Sequence, residues 1–193
     1  LNSSIHSIDV FHSAMILMHK FILSNPNFFL NFQPDQKILA AAGAYFLSTK
    51  INNNFIFIDS LVKQVMLLFN KKYNRQDSSK EYLENIKETI FEYETQILTC
   101  INFDVEVDLP SPFLLRIKKE LGQQHSKVFE ILCSIMNDTY TLPLCLFFDP
   151  STLVVSCAKF MQDKFSIKMD LDKICAVSEF QINLEEVQRC QPF

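Results

Sequence analysis

Lys50 and Glu94 are the charged residues whose setting most favours a specific contact. Lys50 ends the run Leu-Ala-Ala-Ala-Gly-Ala-Tyr-Phe-Leu-Ser-Thr-Lys at residues 39–50, and Glu94 follows about 44 residues later in a second apolar pattern. Small side chains let neighbouring helices pack closely, while Phe46 and Lys50 share a different helix face. Lys50 could complement the carbonyl end of its own helix, or it could bind a partner.

Other side chains that could bind a metal or act in catalysis lack the partner residues that such sites require. His12 and His19 lie roughly on one helix face, but nothing supplies the further ligands of a zinc site. Acidic pairs at residues 170 and 172 and at 185 and 186 are typical of helix surfaces, and no Gly-x-Ser-x-Gly nucleophile motif occurs. We expect no catalytic group, no metal and no cofactor, and predict that the protein is not an enzyme.

The six cysteines show neither metal-binding nor disulfide spacing. In a reducing compartment such scattered cysteines pack as small core residues. They are Cys100, Cys133, Cys145, Cys157, Cys175 and Cys190. We predict that they contribute packing and not chemistry.

The composition disfavours several functional classes. Phosphate cradles and hairpin turns need glycines, and only Gly43 and Gly122 occur in 193 residues. A net charge of -4 disfavours direct nucleic-acid binding, despite the small basic segment Lys-Lys-Tyr-Asn-Arg at residues 71–75. No apolar run has the length of a membrane span, and no signal-peptide pattern opens the chain. We expect an intracellular protein without a membrane partner or a small-molecule ligand.

The spacing of apolar residues predicts helices in the first half of the chain. Ser7 is a predicted N-cap for a helix that Asn25-Pro26 stops, and Pro34 opens a helix ending near Lys50. A third helix is predicted from Asp59, followed by a polar loop at residues 70–79. The longest helix covers about residues 80–102, and its apolar stripe is Leu83, Ile86, Ile90, Tyr93, Ile97 and Ile101.

The second half continues the helical pattern after an extended linker at residues 103–110. Gly122 is a predicted C-cap for the first of its helices. The predicted helices cover about residues 112–121, 125–142, 150–165, 170–180 and 183–191. The fold class is therefore all-α.

An internal repeat relates the two halves. Residues 153–164 match residues 39–50 at Leu, Ala, Phe and Lys in register, with small residues opposite small residues. Eleven-residue segments beginning with Asp and ending with Phe follow both, at residues 59–69 and 170–180. The second unit shows five helices and the first shows four, so we expect a further helix to precede Leu1.

Four motifs with suitable gaps make the chain resemble the cyclin family, and most closely transcriptional cyclins of the T, K, L and C kind. Met-His-Lys-Phe at residues 18–21 is similar to their Tyr-Met-His-Arg-Phe, and residues 40–50 are similar to their Ala-rich helix ending Phe-Leu-Ala-Ala-Lys. Glu-Thr-Gln-Ile-Leu at 94–98 and Ile-Asn-Phe-Asp-Val at 101–105 resemble Glu-x-x-Ile-Leu and Leu-Gly-Phe-Asp. Asp-Leu-Pro at 108–110 takes the place of His-Pro.

The resemblance implies a fold of two tandem cyclin boxes of five helices each. Residues 1–108 would form the first box, comprising its helices 2 to 5, and residues 109–193 the second, truncated at its C-terminal end. In cyclins the matching lysine and glutamate lie side by side and hydrogen-bond the kinase backbone near its C-helix. The implied kinase-binding residues are Phe46, Lys50, Ile51, Glu94, Leu98, Phe103 and Val105.

The implied function is a regulatory subunit that forms a heterodimer with a cyclin-dependent protein kinase and activates it allosterically. The transcriptional kind acts on the tail of RNA polymerase II, which implies a nuclear location; without that role the location would be cytoplasmic. One departure is that Asn52, Asn53 and Asn54 follow Ile51, where many cyclins have two glutamates. Two alternatives therefore stay open: a cyclin-fold adaptor without kinase activation, and a scaffold like the general transcription factor IIB.

Overall fold

The computed structural model describes residues 2–73, 79–122 and 125–165. These residues form α-helices and one short 3-10 helix, Pro143–Leu146, with no strand among them. The α-helices are α1 (Asn2–Ser24), α2 (Pro26–Asn31), α3 (Pro34–Ile51), α4 (Ile58–Tyr73), α5 (Lys80–Cys100), α6 (Ser111–Leu121), α7 (Ser126–Tyr140) and α8 (Pro150–Phe165). The predicted all-α class is confirmed for this part of the chain.

Contacts divide the chain into two compact units, Leu1–Val107 and Asp108–Phe193. The boundary lies one residue before that predicted from the sequence. The assignment of each unit as a cyclin box stays a prediction. The helices predicted at residues 170–180 and 183–191 lie outside the described residues.

Helix α3 is the centre of the first unit, where it lies against α1, α4 and α5. Its small side chains are buried on more than one face, so it separates two apolar clusters. The α1 core consists of Leu17, Met18, Phe21, Phe32, Ala40, Ala44, Leu47, Tyr93, Ile97 and Ile101, and the α4 core of Ala42, Phe46, Leu61, Val62, Val65, Met66, Phe69, Ile86 and Ile90. The predicted apolar stripe of α5 supplies residues to both cores.

Gly43 sets the spacing between α3 and α5. A Cβ atom at this position would lie 2.8 Å from the Cβ of Tyr93 and 3.0 Å from the backbone nitrogen of Glu94. Contacts that short do not occur between real side chains, so only glycine allows the two backbones to approach this closely. The position that brings α5 against α3 is therefore next to Glu94 itself.

Several element boundaries differ from the prediction. Helix α1 begins at Asn2, so Ser7 lies inside it and is not an N-cap. Pro26 opens the short helix α2, which is too short at six residues to show an apolar period. Helix α4 continues to Tyr73, since Lys71 and Lys72 in its last turn complement the helix dipole, and the first four residues of the predicted polar loop are helical.

The second unit is built around α8, which contacts α6 and α7. Residues 151–158 of α8 are all buried, as are Leu132, Met136 and Tyr140 of α7. Gly122 ends α6 with a φ of 71°, and its N–H donates to the Lys118 carbonyl at 3.2 Å. This confirms the predicted C-cap, because a left-handed backbone favours glycine.

Candidate partner-binding site

Lys50 and Glu94 meet directly between α3 and α5. The Lys50 Nζ lies 2.5 Å from the Glu94 Oε1. Side chains on a helix tilt toward its N-terminus, so the lysine turns back over the preceding turn and places Nζ 4.3 Å from the centre of the Phe46 ring. The ring and the carboxylate together fix the position of the ammonium group.

The pair is asymmetric in its exposure to solvent. The side chain of Lys50 is 41% exposed, while that of Glu94 is 9% exposed. An ammonium group has three donors and a carboxylate has two acceptor oxygens, so this hydrogen bond leaves both groups with further capacity. The exposed ammonium group of Lys50 can therefore donate to main-chain carbonyl groups of another protein.

Phe46 contacts the ammonium group of the ion pair and is itself packed against a second aromatic ring. It is buried in the α4 core and packs edge-to-face against Phe91, with ring centroids 5.8 Å apart. Phe91 is partly exposed and lies three residues before Glu94, while Leu98 follows four residues after, so all three share one face of α5. Phe91 was not predicted from the sequence, although its helical spacing from Glu94 and Leu98 could have indicated it.

The remaining predicted residues differ in their exposure to solvent. Ile51, Leu98 and Val105 are partly buried and pack against the α1 core. Phe103 is 66% exposed and has a φ of 59°, a left-handed backbone conformation that is uncommon for a bulky residue. Its N–H donates to the Leu98 carbonyl at 2.8 Å. The backbone of Phe103 is therefore held at the end of α5 while its ring is exposed to solvent.

The asparagines after Ile51 have a structural role. The side-chain amide nitrogen of Asn52, Nδ2, donates to the Oγ of the fully buried Ser13 and to the Ser48 carbonyl, each at 2.9 Å. Asn53 has a φ of 53°, which asparagine tolerates better than most residues, and the N–H of Asn54 donates to the Thr49 carbonyl at 2.8 Å. The sequence indicated only the missing acidic charge, whereas in the structure Asn52 connects the end of α3 to α1 and the next two asparagines shape the loop.

The other candidates from the sequence lie in packed surroundings. His12 and His19 are both buried in α1. Burial raises the pKa of Cys133 and of Cys145 to about 11, so both thiols stay protonated at neutral pH. Cys175 and Cys190 lie outside the described residues. Within the described ranges, no group of three or more possible metal ligands occurs, and no helix is long and apolar enough to cross a membrane.

Comparison with known proteins gives one informative similarity. No protein-family model matches the chain. Over 153 residues, which make up 77% of this chain, it is 24% identical to the cyclin pch1 of Schizosaccharomyces pombe. The chain is similar to a cyclin. It spans 44% of that cyclin's length, which is less than half.

This similarity supports the cyclin family and agrees with the resemblance seen in the motifs. The role of the predicted site residues stays a prediction. The structure places Lys50 in contact with both Phe46 and Glu94, and Leu98 lies on the Glu94 face of α5.

Proposed function

We propose that this chain belongs to the cyclin family and is the regulatory subunit of a cyclin-dependent protein kinase. The observation that carries the proposal is the ion pair between the exposed Lys50 and the buried Glu94. The two residues come from different helices and match the lysine and glutamate of the cyclin motifs. Their contact already exists in the chain on its own, so little ordering would be needed when a partner binds.

Activation would follow from the rigidity of this surface. A kinase is active when its strand lysine pairs with the glutamate of its C-helix, and an outside surface can hold that helix inward. Helices α3 and α5 pack closely at Gly43, and close packing makes the surface that they form resistant to deformation. Lys50 and Glu94 would bind main-chain groups of the kinase and set its orientation, while Phe91, Leu98 and Phe103 would supply apolar contact area.

We further propose that the kinase is of the transcriptional kind and that the complex acts in the nucleus on the tail of RNA polymerase II. This finer assignment is supported by the order of the motifs at residues 18–21, 40–50 and 94–105. A kinase complex that phosphorylates a polymerase-tail peptide in preference to a histone substrate would agree with it. A preference for the histone, or exclusion of the tagged protein from the nucleus, would contradict it.

An adaptor that uses the cyclin fold without activating a kinase is the second candidate function. It is favoured by the absence of charged side chains from residues 51–58, where many cyclins carry two glutamates. The hydrogen bonds of Asn52 and Asn54 give this segment a structural explanation that does not require loss of kinase binding. We therefore rank kinase regulation first.

Purification of the tagged protein from its own cells separates the two candidates. We expect a kinase to co-purify in a one-to-one complex, and the activity of that kinase to rise when the purified chain is added back. A stable complex with non-kinase proteins only would favour the adaptor and would contradict kinase regulation.

A further inference from the structure

The loop between α3 and α4, which follows Lys50 in the chain, displays two aromatic rings. Phe55 is 72% exposed and Phe57 is 84% exposed, while Ile56 and Ile58 between and after them pack against the α4 core. Alternate side chains therefore point to the core and to solvent, as in an extended segment. Both side chains that point to solvent are phenylalanines, whose apolar rings form no hydrogen bonds with water.

The loop is held in place at both ends. At its start, Asn54 donates its N–H to the Thr49 carbonyl, one residue before Lys50. At its end, the Phe57 carbonyl accepts from the backbone N–H of Ser60 at 2.9 Å in the first turn of α4. The exposed rings are thus carried on a fixed backbone, which lowers the entropy lost when a partner orders them.

The chemistry of the loop restricts what can cover it. All side chains from Ile51 to Ile58 are uncharged, and this stretch begins directly after the lysine of the ion pair. Aromatic side chains on a rigid surface are typical anchors of protein interfaces, whose cores are depleted of charged residues. An uncharged apolar surface is the complement that leaves no charge buried without a partner.

We propose that Phe55 and Phe57 extend the kinase-binding surface beyond Lys50 and Glu94, and that the partner kinase presents an uncharged apolar patch to this loop. The inference rests on the proposed function, because the loop continues from the proposed interface. It makes the loop a determinant of which kinase is selected. A kinase with a charged surface at this point would have to desolvate that charge against two aromatic rings.

The test uses a panel of purified cyclin-dependent kinases of the cell-cycle and transcriptional classes. The dissociation constant of the best binder is measured with the wild-type chain and with the double variant Phe55→Ser, Phe57→Ser. The matched control is Leu67→Ser, Leu68→Ser, which removes two exposed apolar side chains from the outer face of α4. Thermal unfolding shows whether each variant keeps the wild-type stability.

We expect the loop variant to bind roughly 10- to 100-fold more weakly and the α4 control to bind like the wild type. Because the lost contact is apolar, that ratio should stay constant between roughly 50 and 500 mM NaCl. A loop variant within about twofold of the wild type, or an equal loss in the control, overturns the inference while the kinase-binding proposal stands. If no kinase of the panel binds the wild-type chain, both proposals fall.

Discussion

Helices α3 and α8 are the central helices of their units, yet they end differently. Both are buried on most faces, and their sequences match in register at Leu, Ala, Phe and Lys. The lysine that ends the matched segment of α3 is paired with Glu94, whereas no carboxylate in the described part of the chain lies within ion-pair distance of Lys164 on α8. The shared pattern therefore accounts for helix packing in both units.

One position explains much of this difference. Gly43 and Cys157 occupy the same place in the repeat. The missing side chain at Gly43 lets α5 approach until Glu94 is within reach of Lys50. At the matching place in α8, the Cys157 side chain faces α7, with its Sγ 3.5 Å from the Oγ1 of Thr139. The absence of a side chain at Gly43 thus allows the close approach of α5 that the ion pair of the first unit requires.

Unusual backbone conformations show the same contrast. Asn53, Asn102 and Phe103 have positive φ values and lie in the first unit, at the ends of the helices that carry Lys50 and Glu94. In the described residues of the second unit, the positive φ values are confined to Gly122, where they carry no strain. Asparagine tolerates this conformation, so the unusual residue is Phe103, and strain at a bulky exposed residue agrees with the proposal that Phe103 contacts a partner.

The largest expected effect comes from filling the space at Gly43. The variant Gly43→Leu should lose about 3 kcal/mol of stability, because overpacking would force α3 and α5 apart. The change Cys157→Ala at the corresponding position should cost only about 1 kcal/mol, because it removes a single sulfur atom and forces no helices apart. Chemical denaturation measures both. Equal losses in the two variants would show that helix spacing does not distinguish the units.

A smaller effect is expected at Phe103, where strain and function should oppose each other. The variant Phe103→Gly should raise stability by roughly 0.5–1 kcal/mol, because glycine adopts the left-handed conformation without a steric penalty. The same change should weaken kinase binding, since it removes an exposed ring. Thermal unfolding and binding measurements on one preparation test this. A variant that gains stability and binds the kinase unchanged would remove Phe103 from the proposed interface.

The smallest effect concerns two half-buried thiols of the second unit, whose partial exposure to solvent weakens the dependence of stability on pH. Burial raises the pKa of Cys133 and of Cys145 from 9.0 to about 11, so between these values the folded chain keeps protons that the unfolded chain releases. Stability should therefore fall as the pH rises from about 9 to about 11. The double variant Cys133→Ala, Cys145→Ala should lose less stability over this window when both proteins are melted at each pH. An identical pH dependence of the two proteins would contradict a raised pKa of these thiols in the folded chain.

The sequence predicted the helices best where the apolar pattern is long. The structure places α3 at Pro34–Ile51 and α5 at Lys80–Cys100, within one or two residues of expectation. The apolar pattern of the sequence could not predict α2, because this helix is shorter than two turns. The contact of Asn52 with Ser13 also escaped it, because a hydrogen bond across 39 residues of chain leaves no local signal.

The candidate site was only partly accessible from the sequence. Lys50 and Glu94 were found through motifs, and the spacing of Phe46 and Lys50 gave their shared face. Neither indicated that Glu94 would be buried and Lys50 exposed, since that asymmetry depends on how closely α5 approaches Gly43. Phe91 was missed because its exposure depends on the same packing.

The most direct test of the kinase-binding proposal compares the two lysines that match in the repeat. Lys50→Glu and Lys164→Glu make the same change of charge near the ends of the two central helices. We predict that Lys50→Glu abolishes capture of the co-purifying kinase, that Lys164→Glu binds it like the wild type, and that circular dichroism shows unchanged helical content in both. Kinase binding by Lys50→Glu that equals the wild type would contradict the proposed interface.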